Sequence, residues 1–162
     1  MRRAASLVIA LGACAGAACN GGGGGSDCGP TSGTVARVID GDTIELESGD
    51  TIRYLMVDTP ENTTSVECYG PEATAFNADL VDGKDVEIEY DTECTDRFQR
   101  TLAYVSVEGR EVNSLLVERG FGCVLYIPPN GQDREEEFDA LEATARAESR
   151  GLWGACPENP CN

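Results

Sequence analysis

From Thr34 to Asp40 the run TVARVID sets β-branched apolar residues between the polar Thr34, Arg37 and Asp40, and the run stops at Asp40-Gly41. That pattern marks a half-buried strand, and Asp-Gly is a strong hairpin turn. The pattern resumes as TIELE at 43–47, turns at Ser48-Gly49-Asp50, and continues as TIRYLMV at 51–57. Three short strands on tight turns predict a twisted meander. VEIEY at 86–90 and TLAYVSV at 101–107 predict two further strands. FGCVLYI at 121–127 adds a short one.

Elsewhere the period changes to that of a helix. YGPEATAFNADLV at 69–81 repeats Ala73, Phe76 and Leu80 at helical spacing, with Pro71 suited to its first turn. EVNSLLVERG at 111–120 places Val112, Leu115 and Leu116 on one face and stops at Gly120. DREEEFDALEATARAESRG at 133–151 is the longest helix, with Phe138, Leu141 and Ala145 toward a core and Gly151 past its end. Glu135, Glu136 and Glu137 lie near its start, where they favour the helix dipole and need not be a metal site. Five strands with about three helices predict an α+β domain built on a five-stranded Greek-key barrel of the OB type. Such barrels commonly bind nucleic acid or oligosaccharide, but the fold alone does not settle function.

The first residues do not belong to that pattern. MRRAASLVIALGAC joins two arginines, a short apolar run and small residues before Cys14. This has the form of a secretory signal, and its apolar run is too short to span a bilayer. LGAC also resembles a bacterial lipobox, so residues 1–13 are expected to be a signal peptide and Cys14 the lipidated anchor of an exported, membrane-held lipoprotein. Residues 14–32 contain five consecutive glycines and read as a flexible tether, holding the domain roughly 20–25 Å from the anchor. The domain is expected at 33–154, followed by a cysteine-containing tail at 155–162.

The chain has 162 residues, of which 41% are apolar, enough for one core. Its eight cysteines, in an exported chain without C-x-x-C spacing, predict disulfides more than a thiolate metal site. Twelve basic against twenty-nine acidic residues give a net charge of −17. Without Arg2 and Arg3, ten basic residues face twenty-nine acidic ones, or −19. Such a surface repels nucleic acid at long range. No histidine is present, which excludes every role that needs imidazole.

Within the domain, Asp42 lies just past a hairpin turn and Asp58 ends the next strand over. A meander can bring the two together. Two carboxylates and a loop carbonyl suit a hard cation, calcium above all in an exported protein. Asp58-Thr59-Pro60-Glu61 also reads as an ordinary turn with a solvated acid. Arg53 and Arg100 are fork-shaped donors suited to phosphate oxygens, though a single arginine is more often a surface charge.

Taken together, IDGDT at 39–43, RYLMVDTPE at 53–61, YGPEA at 69–73, DRFQRTLAYV at 96–105, VNSLLVERG at 112–120 and RGLWG at 150–154 resemble the staphylococcal nuclease, or thermonuclease-like, family. The resemblance covers roughly residues 33–154. It implies a Ca²⁺-dependent nuclease cutting DNA and RNA with little base specificity, acting as a monomer. It implies that Asp42, Asp58 and the carbonyl of Thr59 hold Ca²⁺, with Asp40 acting through water. Glu61 then takes a proton from the attacking water, Arg53 and Arg100 grip the scissile phosphate, and Arg97 and Tyr126 line the nucleotide pocket.

Two positions depart from the family pattern. Gln99 stands where glycine is usual, and Phe98 where tyrosine is usual. Two rival readings keep the barrel without the chemistry: a non-catalytic binding module on the cell surface, and a calcium-stabilised structural lipoprotein. Cys68 and Cys94 each flank a segment near the inferred site, so a Cys68–Cys94 bridge is the first expected pairing and Cys123–Cys156 the second.

Overall fold

The structure, a computed structural model, describes residues 28–158. The segment expected to be a signal at 1–13, Cys14 and most of the expected tether at 14–32 lie outside the described residues. Strands β1 (Ser32–Asp40), β2 (Thr43–Leu46) and β3 (Thr51–Tyr54) form the expected antiparallel meander. Strand β5 (Asp85–Glu89) joins β1, β6 (Thr101–Val107) joins β5, and β6 returns to β3 in parallel. The ring β3-β2-β1-β5-β6 is thereby closed into a five-stranded OB-type barrel, so none of its strands is left as an edge.

The barrel fills by alternation. In β5, Val86 and Ile88 point inward while Asp85, Glu87 and Glu89 face solvent. Ile44, Ile52 and Val105 are fully buried beside them. Each such side chain stabilises the fold by about 1.5–3 kcal/mol relative to exposure. Helix α1 (Gly70–Val81) packs on β1, while α2 (Val112–Glu118) packs on β6, on β4 (Met56–Asp58) and on α3 (Glu135–Ala147). Phe138 and Ala145 are buried on α3 as expected, and Leu141 is half-buried. The two-residue strand β7 (Arg110–Glu111) pairs antiparallel with the end of β6, β8 (Cys123–Leu125) pairs with β4, and the short α4 (Leu152–Ala155) follows α3.

The single strand expected at 51–57 is two strands. The chain breaks at Leu55, and Met56 adopts a left-handed φ of 63°. β3 stays in the barrel, while β4 turns away to pair with β8. The fully buried Asn113 of α2 fills the break: its amide donates to Leu55 O at 2.9 Å and Ala103 O at 3.1 Å, and its carbonyl accepts from Val105 N at 2.9 Å. Burial of an amide is tolerated because its groups are paired. Ile52 through Val57 are consequently all buried, and the expected in–out alternation is absent there.

Ordered chain also reaches back beyond Gly33. Tyr90 Oη donates to Pro30 O at 2.6 Å, and Cys28 bridges to Cys94. At the other end, Cys156 bridges to Cys68. The expected pairings Cys68–Cys94 and Cys123–Cys156 are therefore corrected to Cys28–Cys94 and Cys68–Cys156. Cys123 is also disulfide-bonded, to none of these four. The error had a physical source: the first pairing placed both partners near the site, whereas each loop is tied instead to a terminal segment.

Candidate active site

The hairpin between β1 and β2 sets Asp40 and Asp42 on either side of Gly41. A Cβ on Gly41 would sit 2.5 Å from Thr59 Oγ1, so only glycine lets the 58–60 turn approach this closely. Thr59 then donates to Asp42 Oδ2 twice, from its backbone N at 2.8 Å and its hydroxyl at 3.0 Å. Asp42 Oδ1 accepts from Thr43 Oγ1 at 3.0 Å and pairs with Arg53 Nε at 3.0 Å. A buried carboxylate with three hydrogen-bond donors and an ion pair is fixed in place.

Arg53 lies opposite Thr43 in the β2–β3 ladder and is only 7% exposed. Its position follows from the break in the strand. Nη1 donates to Tyr54 O at 2.8 Å and Val57 O at 2.7 Å, which are carbonyls on the two sides of the break. Nη2 donates to Asp58 Oδ1 at 2.7 Å. Three guanidinium N–H groups thus donate hydrogen bonds, and Nε adds an ion pair with Asp42.

Arg100 comes from the loop between β5 and β6. Its Nε and Nη2 each lie 2.7 Å from Asp96 Oδ2, while Asp96 Oδ1 accepts from Phe98 N at 2.8 Å and Arg100 N at 3.0 Å. Burial pushes the Asp96 carboxyl up, but these hydrogen bonds outweigh it and hold the group below the usual carboxylate range. Gln99 has a φ of 66°, so the position that is glycine in the family pattern is indeed left-handed in this chain.

These pieces converge. A polar cleft of about 100 Å³ is lined by Asp40, Asp42, Arg53, Asp58, Thr59, Pro60, Glu61 and Arg100. All the residues expected to grip phosphate, take a proton or hold a cation therefore meet in one place. A larger groove of about 540 Å³ adjoins it and shares Arg53, Asp58 and Arg100. Arg97 and Phe98 line this groove, with the Arg97 guanidinium 4.7 Å from the Phe98 ring centre.

Tyr126 does not line it. That expectation is corrected: Tyr126 packs against the core, and its neighbours Leu125 and Ile127 face the groove instead. Phe98 and Ile127 are 64% and 63% exposed, so the groove wall is apolar and open.

The carboxyls of the polar cleft are electrostatically crowded. Burial and the adjacent Asp42 charge push Asp40 up to about 6. Asp58 is raised by burial, opposed by Arg53, and raised further by Asp42, Glu61 and Glu67. An all-oxygen donor set under like-charge repulsion fits a hard divalent cation. Among the described residues no three acids gather closely enough to enclose a cation with side chains alone. A cation at this position would rest on Asp42, Asp58, the Thr59 carbonyl and water.

Several contributors were not singled out in the sequence. Asn77 is buried in α1, accepts from Tyr54 Oη at 3.0 Å and donates to Asp40 O at 3.0 Å. Asn113 and Asp96 complete the supports of the break and of Arg100. The available signal was an asparagine set among the apolar positions of a helix, as in AFNADL and VNSLL.

A model of the family described as staphylococcal nuclease homologue matches residues 51–155. Endonuclease YncB of Bacillus subtilis is 35% identical over 127 residues, which cover 74% of this chain and 60% of that protein. SPbeta prophage-derived endonuclease YokF of the same organism is 34% identical over 127 residues, covering 74% of this chain and 43% of its own length. The match thus spans only about half the length of these two relatives. A thermonuclease of Staphylococcus hyicus is 34% identical over 125 residues, covering 74% of this chain and 73% of its own. With most of the described domain matched, the chain belongs to the staphylococcal nuclease homologue family.

Proposed function

We propose that this chain is an exported, Ca²⁺-dependent nuclease that hydrolyses phosphodiester bonds of DNA and RNA with little base preference. The observation that carries the reading is the convergence of Arg53, Arg100, Glu61, Asp42 and Asp58 on one small polar cleft. A phosphodiester is already anionic, and attack by water adds negative charge. Arg53 and Arg100 offset that charge with guanidinium N–H groups held in fixed orientations. Glu61 accepts the water proton as the new P–O bond forms, and the opposite P–O bond breaks with its oxygen taking up a proton from solvent water. A divalent cation on Asp42, Asp58 and Thr59 would supply further charge stabilisation.

The adjoining groove supports little base preference. Its wall of Phe98, Leu125 and Ile127 offers apolar contact, which every base can use. Export is supported by the disulfides Cys28–Cys94 and Cys68–Cys156, which persist in oxidising compartments. The signal-like start with Leu-Gly-Ala-Cys at 11–14 supports anchoring through lipid on Cys14. Expression of the Cys14→Ser chain with a cleavable leader should release the domain from membranes.

The test of activity is cleavage of plasmid DNA and of an RNA transcript. Ca²⁺ should support both, chelator should stop both, and added Ca²⁺ should restore them. Mg²⁺ should serve poorly, because it demands tighter octahedral geometry. Glu61→Gln should lower kcat by about 10²–10⁴-fold. Full activity in excess chelator, or in Glu61→Gln, would refute the assignment.

A further inference from the structure

We propose that Glu67 is a positioning residue for Glu61. The inference rests on the reading of Glu61 as the acceptor of the water proton. Glu61 is exposed on the loop between β4 and α1, and so are Thr63 through Glu67. No core packing fixes a loop of this kind. Two hydrogen bonds do so instead. Glu61 N donates to Glu67 Oε2 at 2.9 Å, and Glu67 N donates to Glu61 O at 2.9 Å. Both backbone groups of Glu61 are thereby held by one residue, which closes a ring from 61 to 67.

The ring is seated on the start of α1. Gly70 N donates to Glu67 O at 3.1 Å. A Cβ on Gly70 would lie 2.3 Å from Glu61 O, so the helix start and that carbonyl are in direct backbone contact. Cys68, next to Glu67, is tied to Cys156. Thr63 Oγ1 donates to Glu61 Oε2 at 3.2 Å and orients the carboxylate itself. The chain from Cys156 through Cys68 and Glu67 therefore ends at the group that faces the cleft.

Hydrogen bonds at an exposed loop contribute little to global stability. Their effect is on geometry, and a displacement of about 1 Å at a reacting group can cost about 10²-fold in rate. This separates positioning from mere loop closure. Glu67 acts as a hydrogen-bond acceptor, so glutamine, which keeps an acceptor oxygen, should substitute for it. Alanine should not.

The experiment is steady-state cleavage of an oligonucleotide at saturating Ca²⁺ by wild type, Glu67→Ala, Glu67→Gln, Glu61→Gln and the Glu61→Gln/Glu67→Ala double variant. Thermal melting and amide exchange at Glu61 are measured on each. Glu67→Ala should lose about 10- to 100-fold in kcat with unchanged KM and Tm, and its Glu61 amide should lose protection. Glu67→Gln should recover both rate and protection. The double variant should be no slower than Glu61→Gln, because there is no longer a base to misplace. The proposal is overturned by a wild-type rate in Glu67→Ala, by a Glu67→Gln as slow as Glu67→Ala, or by a further loss in the double variant. An inactive wild-type chain would instead overturn the nuclease reading, and the proposal with it.

Discussion

Nη2 of Arg53 lies 2.7 Å from Oδ1 of Asp58, across the break where β3 gives way to β4. The arginine is buried and the aspartate half-exposed, so the pair spans the wall of the cleft. The same guanidinium holds Asp42 through Nε and the two carbonyls of the break through Nη1. One side chain thus repairs the backbone and also orders both carboxylates. Its structural and chemical roles cannot be separated, whereas those of Arg100 can.

Conservative substitution of the two arginines should expose that difference. Arg53→Lys keeps the charge but cannot reach two carbonyls and two carboxylates from one ammonium. It should lose at least about 100-fold in activity and about 1–3 kcal/mol of stability, the cost of buried acceptors left unpaired. Arg100 is about a third exposed, is held by Asp96 through its side chain and lies over the exposed Phe98 ring. Arg100→Lys should lose comparable activity with less than about 1 kcal/mol of stability. Thermal melts beside kcat measurements distinguish the two; equal losses of stability would contradict this division of roles.

Gln99 makes a second case. Its φ of 66° closes a turn in which Gln99 N donates to Asp96 O at 3.1 Å and Asp96 N to Arg100 O at 3.0 Å. Glutamine tolerates that conformation at some cost, glycine at none, and a β-branched residue poorly. Gln99→Gly should therefore retain full activity. Gln99→Val should lower kcat by about tenfold as Arg100 shifts, with little change in the melting of the barrel. A fully active Gln99→Val would show that the turn does not aim Arg100.

The legible parts of the molecule were those with local causes. The β-branched runs and the turns at Asp40-Gly41 and Ser48-Gly49-Asp50 specify the meander, and the helical spacing around Phe76 and Phe138 specifies α1 and α3. Asp42 and Asp58 were readable as a pair because a meander brings a hairpin turn beside a strand end, and Arg53 joined them through the family resemblance of RYLMVDTPE. The break at Leu55 was not readable, because YLMV at 54–57 is a continuous apolar run of the kind a buried strand shows, and nothing local marks Met56 for a left-handed φ. Its cause is Asn113, fifty-eight residues away, which holds Leu55 O. Tyr126 was misplaced for a related reason. A short, wholly apolar run such as VLYI does not show which parity faces the groove, and a one-residue shift exchanges the faces. The disulfide pairings depend wholly on tertiary proximity.

Those disulfides should affect activity more than folding. Cys94 stands two residues before Asp96, and Cys68 adjoins Glu67, so each bridge anchors one loop of the cleft. They span sequence separations of 66 and 88 residues, and each should contribute about 2–4 kcal/mol by restricting the unfolded chain. The barrel core does not depend on them. Cys28→Ser with Cys94→Ser, or Cys68→Ser with Cys156→Ser, should leave a folded protein with a lower Tm and a greater loss of kcat than the melt accounts for. A reduced chain that keeps wild-type turnover at a temperature well below its Tm would refute the coupling.

Salt should act on this protein differently from its usual action on proteins that bind nucleic acid. Binding that releases counterions from phosphates weakens steeply as salt rises. In this chain the net charge is −17, and the positive charge near the cleft is local and largely answered. Arg53 is paired with Asp42 and Asp58, Arg100 with Asp96, and Arg37 with Glu45 on the barrel surface. The surrounding acidic surface repels a polyanion over a Debye length of about 10 Å at about 0.1 M salt. Added salt screens that repulsion first, because contacts inside the cleft are shorter than the screening length. At low salt the substrate should bind weakly, and kcat/KM should rise to an optimum or fall only shallowly as salt increases. The measurement is kcat/KM on a short single-stranded oligonucleotide at saturating Ca²⁺, from about 10 to about 500 mM NaCl. A steep monotonic fall would mean that attraction, and not repulsion, governs the encounter, and that the local charges of Arg53, Arg97 and Arg100 outweigh the acidic surface at long range.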